Sequence, residues 1–147
     1  MTYGTGTLSG PPPLLTVDCL GPVCGAALFV LLMQFVREPS RRTFNVVLVA
    51  GTSGTYLSGG FGGWELVYPM LVTPVLYRAV TSSRFIGLAW LMHAVWDLAH
   101  HFWGRPIWPF MPASSFGCFL FDTLIAVWFL AGAPTLVATR VGLRAKG

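Results

Sequence analysis

Five apolar stretches of near membrane-spanning length, with most of the charge in the short segments between them and in the tail that follows, constrain this 147-residue chain more than any single motif. They cover residues 14 or 20 to 36, 43 to about 60, 64–80, 85–103 and 115–139. A helix needs about 20 apolar residues to cross a bilayer core about 30 Å thick. Only 10% of the residues are charged and 54% are hydrophobic, with a mean hydropathy of +0.68, far from the roughly one-quarter charged of a soluble domain. The expected fold is all-α: a polytopic transmembrane helix bundle of about five spans. Gly21 and Pro22 interrupt the first stretch early, Pro69 and Pro74 bend the third, and Pro134 falls near the end of the fifth. The second and third are joined by little more than GGFGG, so the alternative is four spans plus a re-entrant segment.

Charge sets the expected orientation. With the N-terminus outside and spans alternating, Arg37, Arg41, Arg42, Arg78, Arg84, Arg140, Arg144 and Lys146 fall inside and only Arg105 outside, as the positive-inside rule requires. The expectation is a multi-pass cell-membrane protein with a flexible outer tail at 1–13, a single transmembrane helical domain at 14–139 and a basic cytoplasmic tail at 140–147. The net charge of +4 is then a topology signal that also favours membrane lipids with anionic headgroups, and not nucleic acid, as partners. Residues 1–13 hold no positive n-region and Thr follows Met1, so neither a cleaved signal nor myristoylation is expected.

The acids fall on the other side. Asp18 opens the first span and Glu65 the third, Asp97 and Asp122 lie in the outer halves of the fourth and fifth, and only Glu38 is inner. All three histidines sit in one stretch, HAVWDLAHH, from His93 to His101. At 1.5 Å per residue, Asp97 lies about 9 Å below Trp103 and Asp122 about 10 Å below Ser115, which sets the two carboxylates level in adjacent antiparallel helices. His93, Asp97 and His100 occupy i, i+4 and i+7, one helical stripe, and His101 lies about 100° from His100 but still at i+4 from Asp97. Cys118 and Asp122, with Ile125 or Ala126, make the facing stripe.

An ionisable group in hydrocarbon costs about 2.5 to 3.5 kcal/mol on insertion scales, so such a cluster has either a partner or a purpose. The sharpest reading is a transition-metal site. His93, Asp97, His100 and His101 supply ligands for zinc, iron or copper, with Asp122 or Cys118 as a further ligand or as the group that fixes a ring tautomer. Against it stand a buried His93–Asp97 hydrogen bond that clasps helices, and His100 and His101 as solvated residues at the outer end. A second reading takes Asp97, Asp122 and Glu65 as the catalytic acids of a membrane enzyme that protonates a lipid-like substrate. A third reads the broken helices as a transport path. DLAHH superficially resembles the histidine box of membrane desaturases, but those enzymes need several such boxes and this chain has 3 histidines.

Small residues recur at Ala50, Gly54 and Ser58 and at Gly51, Thr55 and Gly59, a spacing that lets helices approach closely within one chain, in a homo-oligomer or in a larger membrane complex. That reading makes the chain an accessory or structural subunit with no site of its own. The connection from Gly104 to Ser115 carries Pro106, Pro109 and Pro112 with Trp108 and Phe110, and is expected to fold back as a rigid interfacial cover. Ser114 or Ser115 is its natural helix N-cap, and Arg105 is placed to pair with Glu65 or Asp122. Asp18 reads as a cap or interface residue, and Cys19, Cys24 and Cys118 share the outer side, where one disulfide would leave an odd thiol.

HAVWDLAHH, then GRPIWPFMPASSFGC at 104–118 and Asp122, resembles a family of small integral membrane proteins of bacteria and fungi known as a domain of unknown function, DUF6010. The resemblance is concentrated in residues 88–130 and implies a fold, with no activity, ligand or site attached to it. The residues themselves point to an outer-leaflet polar pocket built from His93, Asp97, His100 and Asp122.

Overall fold

The computed structural model describes residues 11–55 and 60–136. Within them lie five α-helices: α1 Thr16–Met33, α2 Ser40–Thr52, α3 Val67–Ala79, α4 Ser83–Trp103 and α5 Ser114–Leu130, with a short 3₁₀ helix, Gly62–Leu66, leading into α3. No strand is present among the described residues. The expected outer residues 1–10 and the basic residues 137–147 lie outside the described part.

Helices α4 and α5 form the centre. At Gly87 of α4 a Cβ would stand 2.7 Å from the Leu130 backbone nitrogen and 2.8 Å from the Ala126 carbonyl oxygen, so the two backbones meet where only glycine fits. Trp90, Ile86 and Ala89 of α4 and Ile125, Ala126 and Phe129 of α5 are buried around that crossing. Phe29 of α1 joins it by edge-on contacts with the Trp90 and Phe121 rings. Val49 of α2 and Val72 of α3 complete the core.

One end of the bundle is basic. Arg41 and Arg42 at the start of α2 pair with Glu38, Arg42 also donates to the Thr81 carbonyl at 2.8 Å, and Arg41 stands over the Trp128 ring. These contacts gather the end of α1, the start of α2, the α3–α4 turn and the end of α5 at one pole. The histidine stretch of α4 points to the other.

Three expectations change. Pro22 does not interrupt α1 but stands inside a continuous helix that begins at Thr16. The second apolar stretch stops being helical at Thr52, not near residue 60. The Thr52 and Ser53 hydroxyls both bond back to the Val49 carbonyl at 2.9 Å, and the backbone continues as tight turns through Gly54 and Thr55. Gly54 and Thr55 therefore stand on no helical stripe of small residues, and Ser58 and Gly59 lie outside the described part. The fifth stretch ends at Leu130 rather than 139. Ala133 N–H bonds to the Trp128 carbonyl and Gly132 N–H to that of Phe129, both at 2.9 Å, and Gly132 and Ala133 take φ of 90° and 51°. This is a Schellman termination, which hydropathy does not register.

By length and composition, one described helix, Thr16–Met33, suffices to cross a membrane. Helix α5 is apolar but has 17 residues, α4 has 21 but carries the histidines, and α2 and α3 have 13 each.

Candidate functional site

The spacing of α4 does what a 3.6-residue period demands: His93, Asp97 and His100 fall on one face and are all buried, at 3%, 0% and 1% exposure. Antiparallel α5 brings Asp122, 3% exposed, against the same face. Its Oδ2 lies 2.6 Å from His93 Nδ1, and Asp97 Oδ2 lies 3.3 Å from that same nitrogen. One ligand atom from each of His93, Asp97 and Asp122 falls within 4.8 Å of the others.

The far side of the His93 ring settles its chemistry. Nε2 is 3.2 Å from the carbonyl oxygen of Thr52, the last residue of α2. A carbonyl only accepts, so Nε2 carries a hydrogen in that bond. A neutral ring then turns the Nδ1 lone pair toward two carboxylates. That approach is attractive only with a proton or a cation between them: a second ring proton, a carboxyl proton donated to Nδ1, or a metal ion. Asp97 presses the same point: the residue is fully buried, and its carboxylate faces the His93 and Asp122 side chains with no backbone donor on either oxygen among the described residues. The carboxyl end of α2 adds the negative pole of a helix dipole beside the ring.

His100 belongs to a second couple. Its Nε2 lies 3.1 Å from Glu65 Oε2, and Glu65 Oε1 accepts the Phe61 backbone N–H at 2.9 Å. The 3₁₀ helix thus delivers a carboxylate, 3% exposed, to the end of α4. The Phe61 and Trp96 rings stand 4.5 Å and 5.6 Å from the His100 ring. Trp96 in turn stacks on Tyr68, whose ring is 5.5 Å from His93, so aromatic faces run from one couple to the other. A Cβ at Gly104 would collide with the His100 ring, so the residue that ends α4 also makes room for it.

Of the residues singled out in the sequence, His93, Asp97 and Asp122 come together, and Glu65 and His100 form a neighbouring pair. His100 is therefore a buried residue and not a solvated one. His101 stands apart, half-buried with its ring against Phe102 and Phe116. Arg105 pairs with neither Glu65 nor Asp122, because the two histidines take those carboxylates; its stem instead packs on Gly60. Cys118 stays outside the cluster, and Cys19, Cys24 and Cys118 are free thiols. Asp18 accepts the Leu15 N–H at 2.8 Å at the start of α1. Ser114 is not an N-cap: the cap position is Ala113, and the Ser114 hydroxyl accepts the Trp108 N–H at 3.0 Å, which ties the proline-rich loop to α5. Sequence reasoning missed the Thr52 carbonyl and the Glu65–His100 pairing. The hydroxyl pair Thr52–Ser53 beside two glycines was the one local signal of the break in α2.

The model of the family of unknown function DUF6010 matches residues 17–135, which include nearly all of the five helices and every residue of both couples. No curated protein and no solved structure matches the chain. On the extent of that match, the chain belongs to the DUF6010 family.

Proposed function

We propose that the chain is an integral membrane helix bundle that binds a divalent transition metal between His93, Asp97 and Asp122. The observation that carries the metal is the single nitrogen, His93 Nδ1, facing two buried carboxylates while Nε2 is held by a backbone carbonyl. A divalent ion cancels the two carboxylate charges in a medium where an uncompensated charge is costly. A backbone acceptor on the distal ring nitrogen is also the usual support for a metal-binding imidazole. One nitrogen and two oxygens suit zinc or iron(II) better than copper(I), which prefers sulfur. The three side chains leave positions for water or a small ligand.

The membrane reading draws on an inverted polarity. Leu20, Leu28, Leu32, Val47, Met70, Leu71, Val95 and Val127 are exposed, whereas Asn45, Glu65, His93, Asp97, His100 and Asp122 are buried. Such a surface suits hydrocarbon, and the break in α2 suits irregular backbone that faces a polar interior. The basic pole then lies at the cytoplasmic face and the site toward the outer leaflet.

A second reading, an acid–base enzyme acting on a lipid-like substrate, draws on a cavity of about 370 Å³ between α1, the proline-rich loop and α5. Its lining includes Pro22, Met111, Phe121 and Cys118, and Cys118 is one turn from Asp122. In that reading a proton, not a metal, lies between His93 and Asp122. Metal content separates the two. Elemental analysis of protein purified without chelator gives about one equivalent if the metal reading holds and none if the proton does.

A further inference from the structure

The Glu65–His100 couple has no part in the three-residue site, yet it lies on the same face of α4 as that site. Asp97 and His100 are separated by about 4.5 Å of helical rise and His93 lies about 6 Å beyond Asp97, so these three groups run in one line toward the outer end of the helix. At that end His100 lines a cavity of about 440 Å³, together with His101, Gly104, Pro106 and Pro112. Prolines lack a backbone N–H, so Pro106 and Pro112 offer the cavity no main-chain donors that would compete for an imidazole or repel a cation. Behind His100, Glu65 supplies a carboxylate whose two oxygens meet the Phe61 N–H and His100 Nε2, so a cation held here would take the place of the ring contact.

We propose that Glu65 and His100 form a loading site through which a divalent transition-metal cation passes from the outer cavity to His93, Asp97 and Asp122. The inference rests on the metal reading of those three residues and adds a route to it. The electrostatics favour one direction. A carboxylate and a neutral imidazole hold a net charge of −1, and two carboxylates and an imidazole hold −2, so the cation meets a weaker site before a stronger one. The apolar 370 Å³ cavity beside Cys118 offers no such sequence of donors: among its lining residues Asp18 is the one carboxylate, and it is engaged by the Leu15 N–H.

The test is rapid mixing of the chelator-stripped protein in detergent with Co²⁺, followed by its visible absorption, for the parent chain, Glu65→Gln and His100→Gln. Glutamine at 65 keeps an acceptor for the Phe61 N–H, and thermal unfolding checks that each variant is folded. Expected is the same final Co²⁺ stoichiometry in all three, reached about tenfold more slowly in both variants, a loss typical of groups outside the ligand set. His101→Ala, in the same cavity but without a carboxylate partner, retains the parent rate. Unchanged rates in both variants overturn the route, and loss of stoichiometry in folded His100→Gln overturns it too, making His100 a ligand. A parent chain that takes up no Co²⁺ overturns the metal reading itself, an outcome distinct from either.

Discussion

His93 on α4 and Asp122 on α5 meet at 2.6 Å between Nδ1 and Oδ2, 29 positions apart in sequence, in the interior of the bundle. The contact fixes the level of the two central helices, and the Thr52 carbonyl at 3.2 Å from Nε2 brings α2 to the same point. One imidazole thereby links three helices, and its chemistry and the fold's register depend on each other.

Asp122→Ala removes the close carboxylate partner of His93 on α5 and leaves Asp97 as the carboxylate beside Nδ1. Breaking one side of a buried charged pair costs about 3–5 kcal/mol. Unfolding of the metal-free variant in detergent is expected to show a loss of that order, and Asp122→Asn, which keeps the shape and one acceptor, a smaller one. Equal stability of Asp122→Ala and the parent would remove the clasp role.

Gly87→Ala places a methyl 2.7 Å from the Leu130 nitrogen, against backbone that has no rotamer to yield. Overpacking of this kind costs about 1–3 kcal/mol. A lowered unfolding midpoint is expected, with metal content retained in the fraction that stays folded. A neutral outcome would mean that α4 and α5 do not cross at Gly87.

His101 gives the internal control. Its ring contacts are with Phe102 and Phe116, away from the carboxylates. His101→Ala should keep full metal content and lose only the packing of a half-buried ring, about 1 kcal/mol or less. Metal loss in this variant would relocate the site toward the end of α4.

Orientation is checked by cysteine labelling in a background where Cys19, Cys24 and Cys118 are replaced by serine. A cysteine at Arg41 is expected to react from the cytoplasmic side and one at Trp108 from outside. Labelling of both from the same side would contradict the proposed poles.

Much of the site was legible because α4 is regular. The i, i+4, i+7 spacing of His93, Asp97 and His100 and the matched depths of Asp97 and Asp122 need only a helical period and a short connection. Glu65 was visible as an outer acid but not as the partner of His100, since that contact spans 35 positions and depends on a 3₁₀ helix with no periodic signature. The ends of α2 and α5 were misplaced for a common reason. Apolar content continues past Thr52 and Leu130, while side-chain hydroxyls at one and positive-φ residues at the other end the helix by local hydrogen bonding. The Thr52 carbonyl, a backbone group exposed by such an ending, has no residue type to announce it.

The most direct test is elemental analysis of protein purified in detergent without chelator, beside a folded His93→Ala/Asp97→Ala variant. About one equivalent of zinc or iron in the parent and none in the variant is the expected result. Metal absent from both, or equally present in both, would contradict a metal centre at His93, Asp97 and Asp122.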